Sequence, residues 1–253
     1  MVDIHTHVMA NVDDGANSKQ ESINMLKEAE KAGFTDVVLT PHYIEDYFDS
    51  DLHTRNFKLR VLQDFIRTQV FINISLGAEV FVSEKMGKWI KEGKITTINN
   101  SRYLLFELPT NSKIVYLENI IDEILNLGYT PILAHPERYK YVQKDTTFVE
   151  KLAKKGVLFQ SNFGSIIGQY GKEAEETIKK LLKENRIQFL ATDAHRDNSI
   201  YTHMDKILKK LERIVGKEIL YNLTTVNPGK VLKNEEIEIT QPKERVFFTK
   251  KVV

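Results

Sequence analysis

Two histidines stand one residue apart near the start of the chain, His5 and His7 in VDIHTHVMANVDDGA, with the adjacent acids Asp13 and Asp14 close behind. Side chains two apart on a strand share a face, so a short strand over 2–5 would aim both imidazoles at one point. Neutral imidazole with carboxylate is a donor set for transition or borderline metal ions. The pattern continues downstream. His42 follows Pro41 in LTPHY, Glu79 stands in LGAEVF, Glu107 in YLLFELP, His135 and Arg138 in ILAHPERY, and Asp193 and His195 in FLATDAH. Each has a bland explanation taken singly, since a lone histidine beside an apolar run is ordinarily a satisfied core residue. As a set they would form a buried cluster that repels itself, or costs heavy desolvation, unless cations bind it. Nine candidate ligands result: His5, His7, Asp14, His42, Glu79, Glu107, His135, Asp193 and His195. A tetrahedral zinc site takes four and an octahedral manganese or iron site six, so more than one ion is expected. Clustered ions activate water and hold both oxygens of a phosphoryl displacement.

The elements that must carry these residues can be read from apolar, β-rich runs at 2–5, 35–40, 73–77, 103–108, 130–134, 157–160 and 188–192, each followed by a helical pattern. Six of the seven end in His, Glu or Asp and none in Lys; the sixth gives FQSNFGS. Helix punctuation lies between them. Ser18 and Glu21 form a capping-box pair before Ile23, Leu26 and Ala29, and Gly33 sits at the C-terminal end. Ile120, Ile121, Ile124 and Leu125 make a stripe that stops at Gly128. Alternating strands and helices predict an α/β fold with a parallel sheet or barrel, whose C-terminal strand ends share the face that holds the site. The length of 253 residues suits one such domain over 1–240, leaving a basic tail, QPKERVFFTKKVV, over 241–253. A formal net charge of +1 argues against nucleic acid as a partner. No apolar run approaches a membrane span, no signal-peptide pattern opens the chain and cysteine is absent. These features fit a cytoplasmic protein and exclude thiolate chemistry.

The ordered motifs DIHTH, VDDGA, TPHY, GAEV, FELP, AHPERY and TDAH, with NPGKVLKN near the C-terminus, resemble the polymerase-and-histidinol-phosphatase superfamily. They are most similar to its bacterial branch of manganese-dependent protein-tyrosine phosphatases in capsule and exopolysaccharide gene clusters. The resemblance spans nearly the whole chain. It implies a distorted, TIM-like (β/α)7 barrel with three divalent ions at its C-terminal face, manganese foremost and iron or zinc as alternatives. By similarity His5, His7, Glu79 and Asp193 hold the first ion. Glu79 bridges to a second, completed by Glu107 and His135, and Asp14, His42 and His195 hold the third. Arg138 matches the family arginine that grips phosphate. One departure stands out: many relatives carry another arginine where this chain has Ile200, and Arg196 is the nearby candidate to replace it.

The implied reaction is hydrolysis of phosphotyrosine on the tyrosine-rich tail of a bacterial tyrosine kinase that controls capsule synthesis. A metal-activated water would attack phosphorus in line while Arg138 neutralises the equatorial oxygens, and His42 or a water would protonate the leaving phenolate. Aromatic residues after the second run, Tyr43, Tyr47 and Phe48, offer a surface for the substrate ring, with Tyr43 the nearest candidate. Two other readings stay open: a histidinol-phosphate phosphatase, and a metal-holding phosphotyrosine recognition module without turnover.

Overall fold

A computed structural model describes residues 1–237. The basic tail over 241–253 lies outside the described residues. The fold is α/β with parallel strands throughout the named ladders. Among the described residues there are nine strands: β1 (Val2–Thr6), β2 (Asp36–Leu39), β3 (His42–Tyr43), β4 (Asn73–Leu76), β5 (Glu79–Phe81), β6 (Tyr103–Glu107), β7 (Thr130–Ala134), β8 (Leu158–Asn162) and β9 (Phe189–Ala191). They exceed the seven apolar runs because a further short strand follows each of the second and third runs after a break. Pro41 separates β2 from β3, having no N–H to give a ladder. Pairing bridges both breaks all the same, since Gly77 N donates to Leu39 O and Glu79 N to Pro41 O.

The strands lie in the orders β1-β2-β4 and β3-β5-β6-β7-β8-β9. The two ends of this arrangement also meet. Asp193 N donates to His5 O and His7 N to Ala194 O, both at 2.9 Å, beside a parallel bridge between Thr6 and Ala194. The first strand is thereby tied to the segment that follows the last one. Register between β1 and β2 shifts between Asp3 and Thr6, where β1 delivers His5.

Two buried apolar sets hold this frame. One joins helices to strands; the other gathers Val2, Ile4, Val38, Leu105, Ile132, Leu158 and Phe189 with Val231 and Ile237 from the C-terminal segment. The NPGKVLKN stretch belongs to that second set. It forms the helix Asn227–Leu232, entered through a π-helical turn at Asn222–Val226, just before Pro228 removes a backbone donor. Asn234 then accepts from the backbone and side chain of Arg102, and Asn227 donates to Gln188 O.

The helix signals read from sequence fall where they should. Ser18 caps Lys19–Lys31, its hydroxyl accepting from Glu21 N, and the helix gives way to Gly33. The Glu21 carboxylate accepts from Asn17 N, one residue earlier than a reciprocal capping box requires. Ile120, Ile121 and Ile124 are the buried face of Leu117–Asn126. Among the described residues no helix is long and apolar enough to cross a membrane.

Candidate metal centre

All nine candidate ligands gather at one end of the strands. His5 comes from β1 and His7 from just beyond it. His42 and Glu79 open β3 and β5, Glu107 closes β6, and His135, Asp193 and His195 follow β7 and β9. His135 and Asp193 sit in the left-handed region, at φ 33° and 54°. Non-glycine residues rarely adopt that conformation, and such strain clusters at functional sites.

Three overlapping groups of donor atoms result. His5, His7, Glu79 and Asp193 form one; His7, Asp14, His42 and His195 a second; His42, Glu79 and Glu107 a third. His135 joins through Glu79, its Nε2 lying 2.8 Å from Oε1, with Glu107 Oε2 at 4.0 Å. The hydrogen bonds on the far sides of the imidazoles decide what the near sides can do. His5 Nδ1 meets Gln160 Oε1 at 2.8 Å, and His7 Nδ1 meets Asp13 Oδ2 at 2.7 Å. Each acceptor requires an Nδ1–H, which leaves both Nε2 atoms as lone pairs. These two lone pairs face each other at 3.3 Å, with Glu79 Oε2 and Asp193 Oδ1 3.1–3.4 Å away. His195 Nδ1 likewise faces Asp193 O at 2.9 Å, turning Nε2 toward Asp14. Four acceptors converging on one buried point need a cation between them.

Unsatisfied atoms tell the same story. Glu79 Oε2, His42 Nδ1 and His135 Nδ1 are buried without a hydrogen-bond partner among the described residues. The donor set therefore fits divalent metal ions. In the metal-free protein, protons take their place. Burial opposes a charge on His5, but Glu79 and Asp193 outweigh it and lift its pKa to about 9. Burial likewise works against ionised Glu79, and His5 and His42 more than offset it, holding its carboxyl well below the usual range. The hydrogen bond from His195 holds Asp14 at about 2 against its partial burial.

Residues that sequence reasoning passed over complete the arrangement. Asp13 accepts from His7, from His42 N and from Gly15 N, so one carboxylate ties two ligand loops together. From β8 come Gln160, which fixes His5, and Asn162, whose Nδ2 donates to Asp193 Oδ2 at 2.7 Å. Glu137, beside Arg138, is buried and accepts from Ser161 Oγ, Asn162 N and Ser165 Oγ. The sequence signals for these were the adjacency DD, the stretch FQSNFGS and, for Glu137, the motif AHPERY.

The remaining predicted residues fall into different places. Arg138 stands at the rim, with Nη1 donating to Asp193 Oδ2 at 2.9 Å and its guanidinium 4.5 Å from the Tyr170 ring centroid. Arg196 donates to the carbonyls of Gly15 and His195 and lies 3.9 Å from Glu21, which pins it across the β1 loop. Ile200 is buried. Tyr43 needs correction as a substrate-binding residue. It is 5% exposed and packs edge-on against Trp89, because its neighbour His42 takes the opposite face of the strand. Phe48 is the aromatic beside the site, stacked on His42 at 6.0 Å with the exposed Tyr47 against it. His42 lies among the candidate ligands. Both its nitrogens face carboxylates, Nε2 toward Asp14 and Nδ1 toward Glu79 and Glu107. His53 and His203 are exposed, away from the cluster.

A family model for capsular polysaccharide synthesis, CpsB/CapC, matches residues 1–233. The chain belongs to the CpsB/CapC family. Among CpsB/CapC relatives, the putative tyrosine-protein phosphatase CapC of Staphylococcus aureus is 35% identical over 196 residues, covering 77% of each chain. The tyrosine-protein phosphatase YwqE of Bacillus subtilis (strain 168) is 28% identical over 97% of this chain and 96% of its own. A chain from the crystal structures of YwqE and of CpsB from Streptococcus pneumoniae, metal-dependent tyrosine phosphatases, superposes with a TM-score of 0.90 at 27% identity. It covers 97% of this chain and 100% of that one.

Proposed function

We propose that this CpsB/CapC member is a metal-dependent protein-tyrosine phosphatase acting on a bacterial tyrosine kinase that controls capsular or exopolysaccharide synthesis. The observation that carries the reading is the convergence of eight imidazole and carboxylate donors in three overlapping groups, which His135 joins through Glu79, with Arg138 at their edge. The two strand runs, joined through Thr6 and Ala194, are read as one distorted seven-stranded barrel in a single domain over 1–240. Three ions, manganese foremost, would be held by His5, His7, Glu79 and Asp193; by Glu79, Glu107 and His135; and by Asp14, His42 and His195. Divalent ions bound there supply Lewis-acid charge and an activated water.

The chain's own residues do the rest. Asp13, Gln160 and Asn162 orient His7, His5 and Asp193. Arg138, one-third exposed, offers its remaining guanidinium N–H groups to the phosphoryl oxygens, whose charge grows toward the transition state. His42 serves as a ligand. A phenolate leaving group, from an alcohol of pKa about 10, asks less of a proton donor than an alkoxide would, and solvent can supply the proton late. Phe48 and Tyr47 give the phosphotyrosine ring an apolar wall. A cytoplasmic location fits both the substrate and the absence of cysteine from the sequence.

The test compares kcat/KM at one manganese concentration and one pH for phosphotyrosine peptides, phosphoserine peptides and histidinol phosphate, with a chelated control. Phosphotyrosine peptides are expected to be preferred strongly and chelation to abolish turnover. Tenfold preference for histidinol phosphate, or activity surviving verified metal removal, would overturn the reading.

A further inference from the structure

We propose that Tyr170 is the positioning residue for Arg138, holding the plane of the guanidinium so that one edge stays turned to the substrate phosphate. The inference rests on the phosphatase reading above. The Arg138 side chain makes one hydrogen bond among the described residues, from Nη1 to Asp193 Oδ2. A single such bond leaves the guanidinium free to turn about the N–O axis. Bidentate recognition of a phosphoryl group depends on the orientation of that planar fork, and not only on its charge. Tyr170 removes the freedom. Its ring centroid lies 4.5 Å from Arg138 Cζ, within the range of a cation–π contact.

Tyr170 is itself fixed relative to the site. Its hydroxyl oxygen lies 3.3 Å from Asn162 Nδ2, the same amide group that donates to Asp193 Oδ2. Asp193 Oδ2 is thus shared by Asn162 and Arg138, while Oδ1 faces His5 and His7. The two loops concerned are also bolted together from below. Glu137 precedes Arg138 in the 3-10 turn Pro136–Arg138, and its carboxylate accepts from Ser161, Asn162 and Ser165, on β8 and the loop that leads to Tyr170. A residue that only anchored its own loop would have no reason to lie across the rim arginine. Here one amide, Asn162, contacts both the acid that holds Arg138 by Nη1 and the ring that lies against its guanidinium.

Steady-state kinetics on a phosphotyrosine peptide with the manganese-loaded protein test this. Tyr170→Leu should lower kcat/KM roughly tenfold, the scale of one desolvated cation–π contact, and weaken inhibition by inorganic phosphate by a similar factor. Metal content and the melting temperature of the chelated protein should stay as in the wild type. Tyr170→Phe and Tyr170→Trp, which keep the ring, should stay within about threefold. Tyr170→Gln, a second non-aromatic replacement, should follow Tyr170→Leu. The decisive measurement is the double mutant: on an Arg138→Lys background, Tyr170→Leu should change kcat/KM by less than about twofold, because the pair acts as a unit. A full tenfold effect on that background would overturn the proposal. So would a Tyr170→Leu variant with wild-type kinetics, or one altered only in melting temperature. If Arg138→Lys alone keeps full turnover, the phosphate-gripping role of Arg138 falls first, a distinct failure from additivity.

Discussion

At the residue scale, the site is a set of acceptors held in place by a second set of residues with no claim on the metal. Asp13 shows this best. It lies buried next to a proposed ligand, Asp14, yet spends both oxygens on His7, His42 N and Gly15 N. Burial works against its ionised form, but the His7 hydrogen bond and charge win and hold its pKa below the ordinary value. Asp13→Asn should therefore keep the fold and lower metal affinity roughly 10- to 100-fold, the usual cost of losing an outer carboxylate on a ligating histidine. Metal titration followed by calorimetry checks it, and unchanged affinity would make Asp13 a loop residue only. Adjacency in DD could not reveal which acid points where. Tyr43 was legible: once His42 is placed at the site, period-two alternation sends Tyr43 into the core.

At the element scale, the apolar runs located the strands well because a buried parallel strand must be almost continuously apolar. The breaks at Thr40–Pro41 and Gly77–Ala78 were harder to see, since pairing continues across them. The contribution of β8 was not legible. Gln160 and Asn162 are neutral amides, buried because they complete hydrogen bonds to candidate ligands that lie far away in the sequence. The loop after β1 depends on close packing. It folds back through Ala16 N to His7 O and Asn11 N to Ala16 O. At Gly15 an added Cβ would lie 2.1 Å from His7 O and 2.5 Å from His7 Cβ. Backbone must then move. Gly15→Ala is expected to cost about 1–3 kcal/mol by overpacking and to weaken metal binding through His7. Thermal melts with and without manganese would show a smaller metal-induced shift than in the wild type; an equal shift would mean the loop yields freely.

At the scale of the whole molecule, stability and metal content should be linked through pH. In the metal-free protein the His5 pKa of about 9 stands above the ordinary 6.5, so charged His5 adds stability that is complete below pH 6.5. That contribution is lost as pH rises toward 9. Glu79 is depressed instead, and its contribution, present above the ordinary carboxylate range, is lost as pH falls through its folded value. The chelated protein should accordingly melt at falling temperatures from pH 6.5 to 9. Loaded with manganese, it should hold or gain, since metal and protons compete for the same atoms. Equal pH slopes in both forms would refute the linkage. The tie between the first strand and the segment after β9 also has a consequence for biosynthesis. Asp193 and His195 leave the ribosome roughly 10–40 s after His5 and His7 at typical elongation rates of about 5–20 residues per second. Until then the nascent chain carries metal donors with no partners to complete a site. The ribosome thus completes the donor set only once the segment after β9 has been made, and no activity can precede it.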